Sequence, residues 1–188
     1  YPNQLNKYLI FLAKYKIEPY LEIGLERGGT FITTLEYLSR INSPVKFALG
    51  IDIIEKPVLF NEYFKINKNA YYLKLSSQSA EFREILEAKP AFDLVLIDGD
   101  HSYQACMKDF ETVKEFTSII VFHDIVCSYY CPQVARVWQE IKENPEYHYK
   151  YNFYEITDQY QETMERHAGN TLGGFGIMVK RDFEKSKY

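Results

Sequence analysis

The stretch Pro19–Thr30, P-Y-L-E-I-G-L-E-R-G-G-T, decides how the rest of the chain is read. Tyr20, Leu21 and Ile23 form a short apolar run around Glu22, Gly24 follows, and the pair Gly28-Gly29 leads into a segment with helical spacing. The pattern predicts a strand, a tight turn and a helix start. Glycine has no Cβ and the first turn of a helix offers unpaired N–H donors, so such a turn lets a small ligand approach bare backbone. Dinucleotide folds carry G-x-G-x-x-G. Here Gly24, Gly28 and Gly29 give G-x-x-x-G-G, which speaks against a pyrophosphate. A glycine-rich turn without a ligand would read the same, so the remaining chain has to decide.

Working outward, Asn3–Lys16 places Leu5, Tyr8, Leu9 and Leu12 at helical spacing and predicts an amphipathic helix capping the sheet edge or the ligand. Downstream, Phe31–Ile41 reads as a helix stopped by Asn42-Ser43-Pro44, and Lys46–Ile51 as a strand ending at Asp52. Nucleoside-binding α/β folds place an acidic side chain at this interval after the turn, where it accepts hydrogen bonds from the ribose hydroxyls. Asp52 is the candidate for that role. Val58–Ile66 reads as a helix, Ala70–Leu75 as a strand, and Ser76-Ser77-Gln78-Ser79 as a polar turn ahead of the helix Ala80–Ala88. Phe92–Ile97, Ser118–Phe122, Tyr147–Ile156 and Gly173–Lys180 read as strands, and Tyr103–Phe116 and Pro132–Asn144 as helices. Thr157–Thr171 is polar and long, a surface loop or lid near a substrate. The alternation predicts a three-layer α/β sandwich with a mostly parallel sheet closed by a C-terminal antiparallel hairpin.

The fourth strand runs into I-D-G-D-H-S-Y, with Asp98, Asp100, His101 and Tyr103, and the fifth ends in His123-Asp124. Open α/β sheets bind ligands at the carboxyl ends of their strands, so both motifs meet at one rim. Asp98, Asp124 and His123 can ligate a divalent metal, which would make an acceptor hydroxyl more acidic. His101 is the candidate general base, since imidazole titrates near neutrality. A solvated acidic rim with hydrogen-bonded histidines is the plainer alternative. His123, Cys127 and Cys131 are evenly spaced and would share a face if helical, but a structural zinc takes four ligands and Pro132 interrupts the segment.

The glycine turn with its preceding Glu22, then I-D-G-D-H-S-Y, F-H-D-I and C-P-Q-V-A-R-V-W-Q-E-I-K, resembles class I S-adenosylmethionine (SAM)-dependent methyltransferases related to macrolide-sugar O-methyltransferases and cephalosporin-hydroxylase-like proteins. The match runs from about Glu22 to Lys142. The resemblance implies a Rossmann-like methyltransferase fold with a seven-stranded sheet. Glu22, Gly24 and Gly28 would then face the amino-acid end of SAM, Asp52 its ribose, Ser77, Gln78 and Ser79 its adenine, and Asp98 both the cofactor and a metal. In metal-dependent members acidic residues after the fourth and fifth strands bind magnesium, which assigns Asp98 and Asp124 as ligands. His123 stands where those members have another acid. A histidine there lowers the negative charge and favours Mn²⁺ or another transition metal over Mg²⁺.

The 188-residue chain suffices for one domain, 1–188, with 46% hydrophobic and 26% charged residues. A net charge of −4 gives no footprint for a nucleic-acid backbone. No apolar run approaches a membrane span and no signal peptide is visible, so the expected location is cytoplasmic. Cys106, Cys127 and Cys131 form an odd set without C-x-x-C, which argues against a disulfide framework. The 17 tyrosines and 13 phenylalanines are read as core. The expected activity is metal-assisted O-methylation of a small hydroxylated acceptor such as a sugar or glycoside. An NAD-dependent oxidoreductase, a SAM-independent metal enzyme and a non-catalytic module of a larger protein stay open, as does homo-oligomerisation.

Overall fold

The computed structural model describes residues 2–41, 43–56, 58–89, 91–127, 130–167 and 169–184. Asn42, read above as part of a helix stop, lies outside them. A seven-stranded sheet carries the order β3-β2-β1-β4-β5-β7-β6, formed by β1 (Pro19–Ile23), β2 (Phe47–Asp52), β3 (Ala70–Lys74), β4 (Phe92–Ile97), β5 (Thr117–His123), β6 (Tyr151–Ile156) and β7 (Phe175–Lys180). The first five are parallel, while β7 runs antiparallel to β5 and to β6. This is the expected α/β architecture.

The period-two alternation of the strands sorts two apolar sets onto opposite sheet faces. Leu21, Ile23, Leu49, Ile51, Val95 and Ile97 face one way and pack with α4 (Ala80–Ala88), α5 (Tyr103–Val113) and α6 (Pro132–Glu143). Tyr20, Ala48, Leu94, Leu96, Ile119 and Val121 face the other and pack with α1 (Pro2–Leu12), α2 (Gly29–Arg40) and α3 (Val58–Ile66). Both faces are covered, as a parallel sheet requires. α1 is tied down by buried Gln4, whose Nε2 donates to the Leu172 carbonyl at 3.1 Å and whose Oε1 accepts from the Gly174 N–H at 3.0 Å. Tyr8 stacks on Phe175 with ring centroids 4.6 Å apart.

Two expectations are corrected. The strand read from Tyr147 begins only at Tyr151, because Asn144-Pro145-Glu146 starts a helix, α7 (Pro145–Lys150), in which Asn144 Oδ1 accepts from the Glu146 N–H at 3.0 Å. The polar segment Thr157–Thr171 contains a short helix, α8 (Gln161–Arg166). His123 is the last residue of β5 and sits opposite Phe175 of β7, in a strand rather than a helix. A last short helix, α9 (Arg181–Glu184), follows β7. No helix among the described residues is long and apolar enough to cross a membrane.

Candidate active site

Parallel sheets open a crevice where the strand order reverses. That point lies here between β1 and β4, and a cleft of about 850 Å³ occupies it, within the range of small-molecule sites. Of the residues expected to bind the cofactor, Glu22, Gly24, Asp52, Ser77, Gln78 and Asp98 line it. Gly28 does not, and neither does any residue of α1 or of 157–171.

The glycine turn is built by packing as much as by access. Gly24 has φ 82°, and a Cβ on it would meet the Asp98 carbonyl oxygen at 2.2 Å. The exits of β1 and β4 therefore touch backbone to backbone, which Asp98 N–H donating to the Ile23 carbonyl at 2.8 Å reinforces. Gly28, at the start of α2 with φ 74°, would drive a Cβ to 2.0 Å from the Phe60 ring, so the bare side of Gly28 is filled from behind the turn. Gly29 has open space and lines the cleft in its place. Asp52 braces the same turn: its Oδ2 accepts from the N–H groups of Leu25 and Glu26 at 2.8 and 2.9 Å, and its Oδ1 from that of Ile54 at 3.3 Å.

Glu22 is 1% exposed and accepts a hydrogen bond from the Tyr20 hydroxyl. Burial pushes its carboxyl well above the usual range, against the Tyr20 hydrogen bond and with help from the Asp98 charge. Beside the turn after β3, Ser77 Oγ donates to Asp109 Oδ1 at 2.6 Å. Ser79 is instead the cap of α4, its Oγ accepting from the Phe82 N–H at 3.1 Å, and it does not line the cleft. Asp109 was missed in the sequence. It is 2% exposed, lines the cleft, and is pushed up to about 6 by burial. The signal was its place among Cys106, Phe110 and Val113 on the buried face of α5, where a carboxylate needs a reason.

At the rim the two motifs meet as expected. Asp98 Oδ1 lies 3.1 Å from His123 Nδ1 and 3.3 Å from His101 Nε2. Asp124, held at φ 64°, brings Oδ1 to 3.6 Å from His123 Nδ1 and Oδ2 to 3.7 Å from His101 Nε2. Burial works to raise the Asp98 carboxyl, but the hydrogen bonds from His101 and His123 outweigh it and hold Asp98 below its ordinary value. The hydrogen bond to Asp98 raises His101 against the opposing burial. Burial pulls His123 down, yet the Asp98 hydrogen bond and the Asp98 and Asp124 charges leave it raised. A carboxylate pair with imidazoles fits a borderline divalent ion better than the all-oxygen shell magnesium prefers. The structure adds Cys131, whose Sγ lies 3.1 Å from His101 Nδ1 and 3.5 Å from Asp124 Oδ2. The zinc arrangement weighed for His123, Cys127 and Cys131 is thus replaced by a different partnership for Cys131, set by the loop between β5 and α6.

Sheet order, glycine turn and crevice together define a class I methyltransferase fold. A family model described as a methyltransferase domain matches residues 21–125, more than half of the chain, and the chain belongs to that family. An uncharacterized protein of Acanthamoeba polyphaga mimivirus is 29% identical over 126 residues, 61% of this chain and 55% of the viral protein. The chain thus spans about half the length of that relative. The O-methyltransferase of Bacillus cereus, solved with S-adenosylhomocysteine (SAH), superposes with TM-score 0.68 at 16% identity, covering 96% of this chain and 82% of that one. TomG of Streptomyces achromogenes, an O-methyltransferase solved with SAM, gives 0.65 at 13% identity over 94% and 79%. The mycinamycin-pathway methyltransferase MycE, solved with Mg, SAH and mycinamycin VI, gives 0.60 at 15% identity over 97% and 50%.

Proposed function

We propose that this chain transfers the methyl group of SAM to a hydroxyl oxygen of a small acceptor, a sugar or glycoside by preference. The observation that carries the reading is the convergence of Asp98, His101, His123 and Asp124 at the rim of the cleft that Glu22, Asp52 and Ser77 line. The solved O-methyltransferases that share the fold support oxygen as the acceptor atom. The resemblance to macrolide-sugar enzymes supports a glycoside, in line with the Mg, SAH and mycinamycin VI found in MycE. The reading takes 1–188 as one catalytic domain.

In this reading Gly24 and Gly29 border the amino-acid end of SAM, Asp52 receives the ribose hydroxyls with the lone pairs its turn contacts leave, and Ser77 and Gln78 flank the adenine. The acceptor oxygen attacks the methyl carbon in line. The new C–O bond forms as the C–S bond breaks, its electron pair neutralises the sulfonium, and the hydroxyl proton passes to His101, which Asp98 orients. A divalent ion held by Asp98, His123 and Asp124 would acidify and orient that hydroxyl.

Calorimetric titration with SAH in EDTA tests the cofactor site. Wild type binds, and Asp52→Asn, which keeps an acceptor for the turn but loses the charge, binds about 10- to 100-fold more weakly, the scale of a charged hydrogen bond. Absence of SAH binding in wild type refutes the reading. With labelled SAM and a panel of glycosides, His101→Gln lowers kcat by about 10²- to 10⁴-fold while SAH affinity is kept.

A further inference from the structure

We propose that Cys131, His101 and Asp124 form a site for a thiophilic divalent ion of the Zn²⁺ class, which shares Asp124 with the Asp98–His123–Asp124 set. A carboxylate oxygen of Asp124, an imidazole nitrogen of His101 and the Cys131 sulfur lie within 4.8 Å of one another. The individual approaches are 3.1 Å between Sγ and His101 Nδ1, and 3.5 Å between Sγ and Asp124 Oδ2. A tetrahedral centre with metal–sulfur bonds near 2.3 Å and metal–nitrogen or metal–oxygen bonds near 2.0 Å sets its ligand atoms roughly 3.3–3.6 Å apart. The two separations from the sulfur lie within a few tenths of an ångström of that spacing. Three protein ligands leave one position open.

The fold holds these donors from three places: the loop after β4, the end of β5, and the start of α6. Cys131 is 8% exposed and is the first capping residue of α6, followed by Pro132, with its own N–H bonded to the Cys127 carbonyl at 3.0 Å. Its side chain makes no capping hydrogen bond. The sulfur instead faces an imidazole and a carboxylate. With the ion on His101 Nδ1, Nε2 still faces Asp98 Oδ1 at 3.3 Å, the carboxylate–histidine pairing that orients metal-bound imidazoles. Binding releases the thiol proton to solvent.

One consequence follows, and it rests on the methyl-transfer reading. A His101 whose lone pair is coordinated cannot take the acceptor proton. A thiophilic ion is therefore an inhibitor of the site.

The probe is Co²⁺, followed by absorption, on metal-stripped protein. Wild type develops a near-ultraviolet thiolate-to-cobalt charge-transfer band that Zn²⁺ abolishes. Cys131→Ser lacks the band and loses at least about tenfold in Zn²⁺ affinity, the lower bound seen when even an outer-shell partner is removed. Serine is a preferred helix cap, so the variant keeps the start of α6. Cobalt bound without the band, a band that survives in Cys131→Ser, or no cobalt binding by wild type overturns the proposal. SAH titration of the same preparation separates the two readings: SAH binding without the band refutes the thiolate site alone, and a band without SAH binding refutes the methyltransferase reading.

Discussion

Gly24, Gly28 and Gly29 belong to one motif and answer to three different constraints. A side chain at Gly24 collides with the backbone of Asp98 and Gly99, which cannot swing aside as a flexible side chain would. Gly24→Ala is expected to cost about 3 kcal/mol or more of stability, combining a left-handed backbone with a direct clash. Gly29 is the first residue of α2, with nothing within 4 Å of its Cβ position and no left-handed backbone. Gly29→Ala should therefore leave stability unchanged or raise it by up to about 1 kcal/mol, the helix preference of alanine, while weakening SAH binding by filling the cleft wall. Urea unfolding and SAH titration on the two variants check this. Equal losses of stability would show that the turn is not divided in this way. The motif was legible as a motif, but which glycine faces the ligand was not, since Phe60 is far away in sequence. Cys131 was hidden for a similar reason: its partners, His101 and Asp124, are brought to it by tertiary structure.

The elements themselves were largely readable, because apolar periodicity is a local property and the core is built on it. α3, α4 and β4 have the boundaries expected from spacing. The failure at 145–150 has a local cause as well. Tyr147, Tyr149 and Tyr151 alternate like a strand, yet Asn144-Pro145-Glu146 carries a cap, a first-turn proline and a first-turn acid. The helix also lets buried Tyr147 pack edge-on against Phe110 at 5.3 Å, a contact that the alternation does not foresee. Asn144→Ala removes the N-terminal side-chain cap of a six-residue helix that cannot persist by propensity alone. The expected loss is about 1 kcal/mol by chemical denaturation, with SAH affinity unchanged because α7 lies away from the cleft lining.

For the whole molecule, the mostly parallel sheet with its closing hairpin and the rim where the fourth and fifth strands end were legible from the alternation of strands and helices, while the strand order was not. The balance of charge around the crevice was not, because it depends on burial. Asp109 and Glu22 are raised by burial, and His101 and His123 stay raised through Asp98. All of them bind more protons folded than unfolded near neutrality, so stability falls as pH rises through their range, by up to about 1.4 kcal/mol per pH unit for each proton involved. The Asp109 part is lost between its unfolded value of 3.8 and about 6. The histidine part is fully present below the unfolded value of 6.5 and is lost as pH passes their raised folded values. Asp98 acts oppositely, but its contribution disappears only when pH falls below the ordinary carboxylate range. In EDTA, the thermal midpoint should therefore fall from about pH 5.5 to about pH 8. Asp109→Asn should raise stability near neutrality and flatten the acid part of the profile, since an amide oxygen can still accept from Ser77 without a buried charge. A midpoint that stays flat across this window in wild type would mean that Glu22 and Asp109 are solvated in the folded protein, and the crevice would then lack the low-dielectric wall on which its chemistry depends.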